Sequence, residues 1–516
     1  MMTTNLSAGI EMLHATNPIT RQQLPGEFVV ATPEEVDQAA AAAHSAWLTF
    51  RQASGLEKAA FLRTIASEIE ALGEVLVDRA VAESGLPAGR ITGERGRTCG
   101  QLRKFADLVE EGSWVGAIID EAQPERQPFP RSDLRKMLVP IGPVAVFTAS
   151  NFPLAFSTAG GDTAAALAAG CPVVVKAHPS HLGTNALVAG AIHKAAEKCG
   201  LPAGVFSSVQ GGNATGKALV LHPQIKAVGF TGSHRGGMAL TELANSRPEP
   251  IPVYAEMGSN NPIFLLPEKL KASAETLATT IAGSVNLGAG QFCTNPGILV
   301  MQQSAEADRF LAAFAAAMAD LSAATMLNEG IFRAYGNGVS AVADVPGVNL
   351  GFQANIAPEN WDAAPAFAQT SAQNFLKTPA LQQEVFGPFT LIVMCEDGME
   401  MQVVAEGLAG QLTATMMGTT EELAQAGELL NALTEKAGRV ICNGVPTGVE
   451  VCAAMHHGGP YPATTNALFT SVGTEAIKRF ARPVTFQDLP DGLLPPALQA
   501  GNPLGISRTV NGQMTS

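Results

Sequence analysis

The chain has 516 residues, 46% hydrophobic and 15% charged, which excludes a disordered or collagen-like polymer and leaves room for roughly two to four domains. Thirty-two basic against 46 acidic residues give a net charge of -14, which argues against sequence-independent binding to nucleic acid or an anionic membrane. Seven cysteines without a CxxC pair argue against a disulfide scaffold and for a reducing, cytoplasmic setting.

Residues 1–7 (Met-Met-Thr-Thr-Asn-Leu-Ser) lack the basic and apolar regions of a secretory leader, so none is expected. No uncharged apolar run reaches the ~18 residues that span a bilayer. Thr32-Pro33-Glu34-Glu35 forms a capping box with Pro at the first helical position and predicts a helix to about residue 50. Apolar spacing through Ala60, Ile65, Ile69, Leu72 and Leu76 predicts a second helix from about Leu56 to Glu83, stopped by Ser84-Gly85. Gln123 to Pro130 is polar, spaced by prolines, and reads as an excursion from the main body.

Short buried runs then alternate with helices: Val144–Phe147, a small-residue helix from Asp162 to Ala169, Pro172–Lys176, and a helix to about Lys198. Further runs are Val205-Phe206, Ala227–Phe230 and Pro262–Leu266. This rhythm predicts a doubly wound α/β fold with a mostly parallel sheet, whose ligands sit at the carboxyl ends of the strands. A second α/β region is expected between about Ala272 and Met455. Its helices lie near 273–287, 305–321 and 421–437, and its strands near Leu391–Met394 and Arg439–Cys442. The Pro-rich tail from Arg482 is weakly periodic and is expected to be ordered by a partner subunit.

Cys171, Cys395 and Cys442 adjoin apolar runs and read as small buried hydrophobes. Cys293 differs, lying in Gly288-Ala-Gly-Gln-Phe-Cys293-Thr-Asn-Pro-Gly297, where Gly and Pro form a turn that a ligand can approach. It is a structural loop cysteine or a nucleophile. Glu256 ends a strand before Met257-Gly258 and is either a capping carboxylate or a general base. Asn151 follows Val144–Phe147 and either makes a turn or offers its amide to an oxyanion. Phe230-Thr-Gly232-Ser233 is a strand, a turn and a helix start able to hold a phosphate, although it lacks the G-x-G-x-x-G pattern. Lys176 is either a snorkelling surface side chain or a cofactor contact. His456 and His457 have no acidic or Cys partner at metal-like spacing, so no metal is expected.

Taken in order, Ala149–Pro153, Val175–Pro179, Phe230–Ser233, Glu256–Gly258, Gly290–Cys293 and Glu384-Val-Phe386-Gly-Pro388 resemble six motifs of the aldehyde dehydrogenase superfamily, spread over nearly the whole chain. The resemblance implies that Cys293 is the nucleophile, Glu256 the hydrolytic base and Asn151 the oxyanion donor. It implies cofactor contacts from Lys176, His178, Ser180, Gly232, Ser233, Glu384 and Phe386. It also implies oxidation of an aldehyde to an acid through a cysteine thiohemiacetal and a thioester, with water rather than coenzyme A as acceptor because Glu256 is present.

Many NAD-preferring members carry Glu three residues after the strand-end Lys. Pro179 stands there in this chain, which removes repulsion of a 2′-phosphate and implies NADP, with NAD possible. Met455-His-His-Gly-Gly-Pro460-Tyr-Pro462 departs from the common family pattern. With Lys176–Pro179 and Asn443–Glu450, it resembles the branch acting on 2-oxoglutarate semialdehyde (2,5-dioxovalerate) or, alternatively, on fatty aldehydes with NADP. An alternative of another class is a non-catalytic binding protein retaining the fold. The implied organisation is a Rossmann-like NAD(P)-binding domain at 1–119 and 137–256, a catalytic domain at 257–455, and a small β flap at 120–136 and 483–516 that builds a homodimer or homotetramer.

Overall fold

The computed structural model describes residues 11–354 and 361–515; residues 1–7, where no leader is expected, lie outside them. The Thr32 hydroxyl accepts from the Glu35 N–H while the Glu35 carboxylate accepts from the Thr32 N–H, launching the helix Pro33–Phe50 as the capping box predicts. The single helix expected from Leu56 to Glu83 is instead two, Gly55–Ala71 and Gly73–Ser84. Gly73 takes a left-handed φ of 55° at the break, a conformation that costs glycine little. The apolar spacing continues across it because both helices bury the same side, with Ile65, Ile69, Leu76 and Val77 all in one core.

The first sheet is parallel, in the order Phe206–Val209, Val173–Lys176, Val144–Phe147, Ala227–Thr231, Val253–Glu256. Both faces are covered, by a core that includes Val144, Val146, Val173 and Val175 and another that includes Ala145, Val174 and Val228. Chain order runs outward in both directions from Val144–Phe147, so the crevice beyond its carboxyl end is a topological switch point.

The Pro262–Leu266 run does not extend this sheet. Ile263–Leu265 lies inside a second, seven-stranded one, between Ile298–Gln302 and Gln411–Met417. There Phe264, Val300 and Leu391 face one core while Ile263, Leu265 and Leu299 face the other, the strand alternation of a sheet buried on both sides. The helix expected over 273–287 follows a kink at Ser273, where the backbone is non-helical, and runs to Asn286; a short helix from Pro267 precedes it. The helix expected over 421–437 is two, Thr420–Gln425 and Gly427–Lys436.

A third, five-stranded sheet joins Ala481–Gln487, Leu134–Pro140, Ile118–Asp120, Arg508–Val510 and Gln513–Thr515. Gln123–Pro130 contains no strand; it is an exposed loop closed by an antiparallel bridge from Gln123 to Arg131. At the start of the tail, Ala481–Gln487 pairs along its length with Leu134–Pro140 of the same chain. Cys171 and Cys395 are buried as expected, but Cys442, at a strand end, is exposed. None of the described helices is long and apolar enough to cross a membrane.

Candidate active site

The carboxyl ends of the first sheet open on a cavity of about 920 Å³. Its wall contains Asn151, His178, Pro179, Ser180, Gly232, Ser233, Cys293, Glu384 and Phe386 of the residues singled out above. Two do not line it. Lys176 stands at the same sheet edge, half-buried, its ammonium pushed down to about 8 by burial. Glu256 lies behind the cavity, beside a small void lined also by His457, Ser471 and Arg479.

Two segments meet at Cys293. The Gly288–Gly297 loop is held by Asn261, whose side-chain amide donates to the Cys293 carbonyl at 2.8 Å and the Asn295 carbonyl at 2.9 Å. The Asn295 amide donates in turn to Gly387 at 3.1 Å, tying the loop to the Glu384–Pro388 segment. Gly290 makes this contact possible: its φ is 65°, and a Cβ there would lie 2.1 Å from the Gly387 carbonyl carbon. Asn151 joins from the first sheet, its amide donating to the Gln291 carbonyl at 3.0 Å. The turn after Asn151 is fixed by buried Glu94, which accepts from the Leu154 and Ala155 N–H groups at 2.8 and 2.9 Å. Arg90, one helical turn earlier, sits 4.6 Å from both the Phe152 and Phe292 rings and so clamps the two segments together.

His457 connects the sulfur to the carboxylate. Its Nε2 is 3.3 Å from Cys293 Sγ and 2.9 Å from Glu256 Oε1, and the Ser471 hydroxyl donates to Glu256 Oε2. Burial pushes the Glu256 carboxyl up, but the His457 charge and hydrogen bonds from His457, Ser471 and Cys293 outweigh it and hold the group below its ordinary value. An ionised carboxylate only accepts, so His457 Nε2 carries the proton and directs it between oxygen and sulfur. Burial pushes the Cys293 thiol well above its ordinary value, and the Glu256 charge adds to the effect. The resting sulfur is therefore a thiol beside an ionised base.

The Aldehyde dehydrogenase family model matches residues 6–332. The alpha-ketoglutaric semialdehyde dehydrogenase 2 of Azospirillum brasilense is 53% identical over 487 residues, covering 94% of this chain and 93% of that one. This chain belongs to the aldehyde dehydrogenase family. Another member, the alpha-ketoglutaric semialdehyde dehydrogenase of Acinetobacter baylyi, is 48% identical over 99% of this chain and 97% of its own. A Thermus 1-pyrroline-5-carboxylate dehydrogenase, solved with bound NAD, shares the fold with a TM-score of 0.79 at 21% identity, over 93% of this chain and 90% of that one.

Aldehyde dehydrogenases are NAD(P)-dependent oxidoreductases, and the cavity suits such a cofactor. Its volume is in the range of cofactor sites. Ser233 caps the helix His234–Asn245 and points that helix's free N–H groups at the cavity, where they can meet phosphate. Glu384 is pushed up to about 7 by burial, partly offset by the Ser259 N–H. It lies so close to Gly258 that a Cβ there would be 2.2 Å from Glu384 Oε2.

Sequence reasoning missed Glu94, Arg90, Asn261 and above all His457. The expectation that the histidine pair lacks acidic and Cys partners is corrected: Glu256, Cys293 and His457 place one donor atom each within 4.8 Å of one another. Those partners lie 201 and 164 residues away in sequence, beyond any spacing rule. Their donor atoms are engaged with one another, which ties this trio to proton handling. The one available signal was the departure from the family pattern at Met455–Pro462.

Proposed function

We propose that this aldehyde dehydrogenase oxidises 2-oxoglutarate semialdehyde to 2-oxoglutarate with NADP, using Cys293 as nucleophile, Asn151 as oxyanion donor and Glu256 as base. The convergence of Cys293, His457 and Glu256 carries the chemistry, and the two relatives named for that substrate at 53% and 48% identity support its choice. The Cys293 sulfur adds to the aldehyde carbon as its proton passes to Glu256, and the Asn151 amide with the Cys293 N–H meets the new oxyanion. A nicotinamide cofactor held by Gly232, Ser233, Glu384 and Phe386 would supply the hydride acceptor for the oxidation to a thioester. Glu256, having released the first proton, then takes one from the water that attacks the thioester, and the acid leaves. His457 keeps Glu256 ionised and aimed at the sulfur through both halves.

NADP is favoured over NAD because Pro179 supplies no carboxylate against a 2′-phosphate, while His178, Ser180 and Arg235 line the same cavity. Lys176, beside them at the sheet edge, adds a cation. The exposed apolar side chains Phe129, Leu489, Leu493, Leu504 and Met514 gather on the third sheet and its loops, supporting a homo-oligomer built through that flap. Seven unpaired cysteines and a thiol nucleophile fit a cytoplasmic setting.

The test follows reduced nicotinamide with 2-oxoglutarate semialdehyde and a long alkyl aldehyde, each with NADP and with NAD. The expected result is the highest kcat/KM for the semialdehyde with NADP. A tenfold advantage for NAD overturns the cofactor assignment, an advantage for the alkyl aldehyde overturns the substrate, and no turnover with any aldehyde overturns the catalytic assignment.

A further inference from the structure

The cofactor cavity reaches Cys293, and two arginines that do not line it, Arg97 and Arg439, hold one loop beside the strand Ala437–Cys442. Arg97 lies 5.2 Å over the Phe156 ring, which stands 6.5 Å from the His457 ring that touches the sulfur. Arg439 lies on the strand Ala437–Cys442. Both grip one loop: Arg97 donates to the Val449 carbonyl at 3.2 Å, and Arg439 to those of Gly448 and Pro446 at 2.9 and 2.7 Å.

What these side chains lack is an ion-pair partner. Arg90 has Glu94 and Arg479 has Asp162, but among the described residues no carboxylate pairs with Arg97 or Arg439. Their hydrogen bonds go to main-chain carbonyls alone, and Arg97 Nη1 and Arg439 Nε are buried with no partner among the described residues. Burial lowers both guanidiniums. For Arg97 the charges of Glu94, Glu256 and Glu450 offset this in part from beyond ion-pair distance, and no carboxylate does so for Arg439. A half-buried guanidinium with no ion-pair partner and an N–H left unpaired can take an arriving anion, and its fork fits a carboxylate.

We propose that Arg97 and Arg439 form a carboxylate-binding subsite that holds the acid end of the substrate while its aldehyde end meets Cys293. This rests on the substrate class proposed above and assigns its recognition. The same cations disfavour an alkyl tail, which would bury them without an anion.

The experiment measures KM for 2-oxoglutarate semialdehyde and for pentanal, a neutral aldehyde of equal carbon number, in wild type, R97Q, R439Q and R97K. Wild type should favour the acid-bearing aldehyde. R97Q and R439Q should each raise the acid-to-neutral KM ratio tenfold or more, and R97K, which keeps the charge without the fork, should recover part of the loss. Wild-type preference with an unmoved ratio in both Gln variants overturns the subsite and leaves the substrate class standing. No wild-type preference overturns both. Because the readout is a ratio within one protein, a general loss of folded enzyme cancels.

Discussion

A single imidazole decides how the Glu256 carboxylate behaves. Burial alone would raise that group, and the His457 charge and hydrogen bond bring it down. Removing them in His457→Gln should move Glu256 upward, so the acid limb of the kcat–pH profile shifts to higher pH and turnover at neutral pH falls about 10- to 100-fold. An unmoved limb would show that His457 does not govern the base. Glu256→Gln removes the base itself. It should release one burst of reduced cofactor per site and then hydrolyse slowly, whereas linear turnover near wild type contradicts the role. Glu384 supplies a second pH effect. Its carboxyl is held up at about 7, so it gains a proton as pH falls through neutrality and, in the proposed cofactor contact, would stop accepting from a ribose hydroxyl. The cofactor KM should therefore rise below about pH 7, and Glu384→Gln should flatten that dependence.

Among the elements, the Gly288–Gly297 loop that carries Cys293 has the tightest constraint. Gly290 combines a positive φ with a Cβ position 2.1 Å from the Gly387 backbone, and neither neighbour is a flexible side chain that could move aside. Gly290→Ala should lower the melting temperature and cut kcat at least tenfold by displacing Cys293, while Gly283→Ala, on a helix with open space, should do neither. Local signals of this kind were legible in the sequence. The Thr32 capping box, the Val144–Phe147 and Val173–Lys176 strands and the Gly-rich turn at Cys293 each depend on a few adjacent residues. Their readings failed where tertiary packing decided the outcome. Leu72 and Leu76 keep helical spacing across a break, because two helices share one buried side, and Ile263–Leu265 reads like its predecessors but joins another sheet. The motif order located Cys293, Glu256 and Asn151, yet His457 was invisible as a partner, since only the folded chain brings it to Nε2–Sγ distance.

At the scale of the whole molecule, the third sheet joins Ile118–Asp120 and Leu134–Pro140 to three strands within residues 481–515, at the end of the described chain, and its cost must be explained. Leu494 and Leu498 pack on Ala117 and Ile119 in a small core of their own, separate from the cores beneath the two larger sheets. Around it the flap exposes Phe129 at 74%, Leu493 at 72% and Met514 at 77%, and Gln513–Thr515 forms an open sheet edge. Apolar side chains and a free edge on one small flap make a poor solvent surface and a good contact for a second copy. The protein should therefore elute, with light-scattering detection, at twice the chain mass or more. The double substitution Phe129→Asp with Leu493→Asp tests the surface directly. Both side chains are mostly exposed in the isolated chain, so its melting temperature at low protein concentration should change little, while the mass should fall toward that of a single chain. A wild type that is monomeric at micromolar concentration, or a double variant of unchanged mass, would remove the flap from the interface.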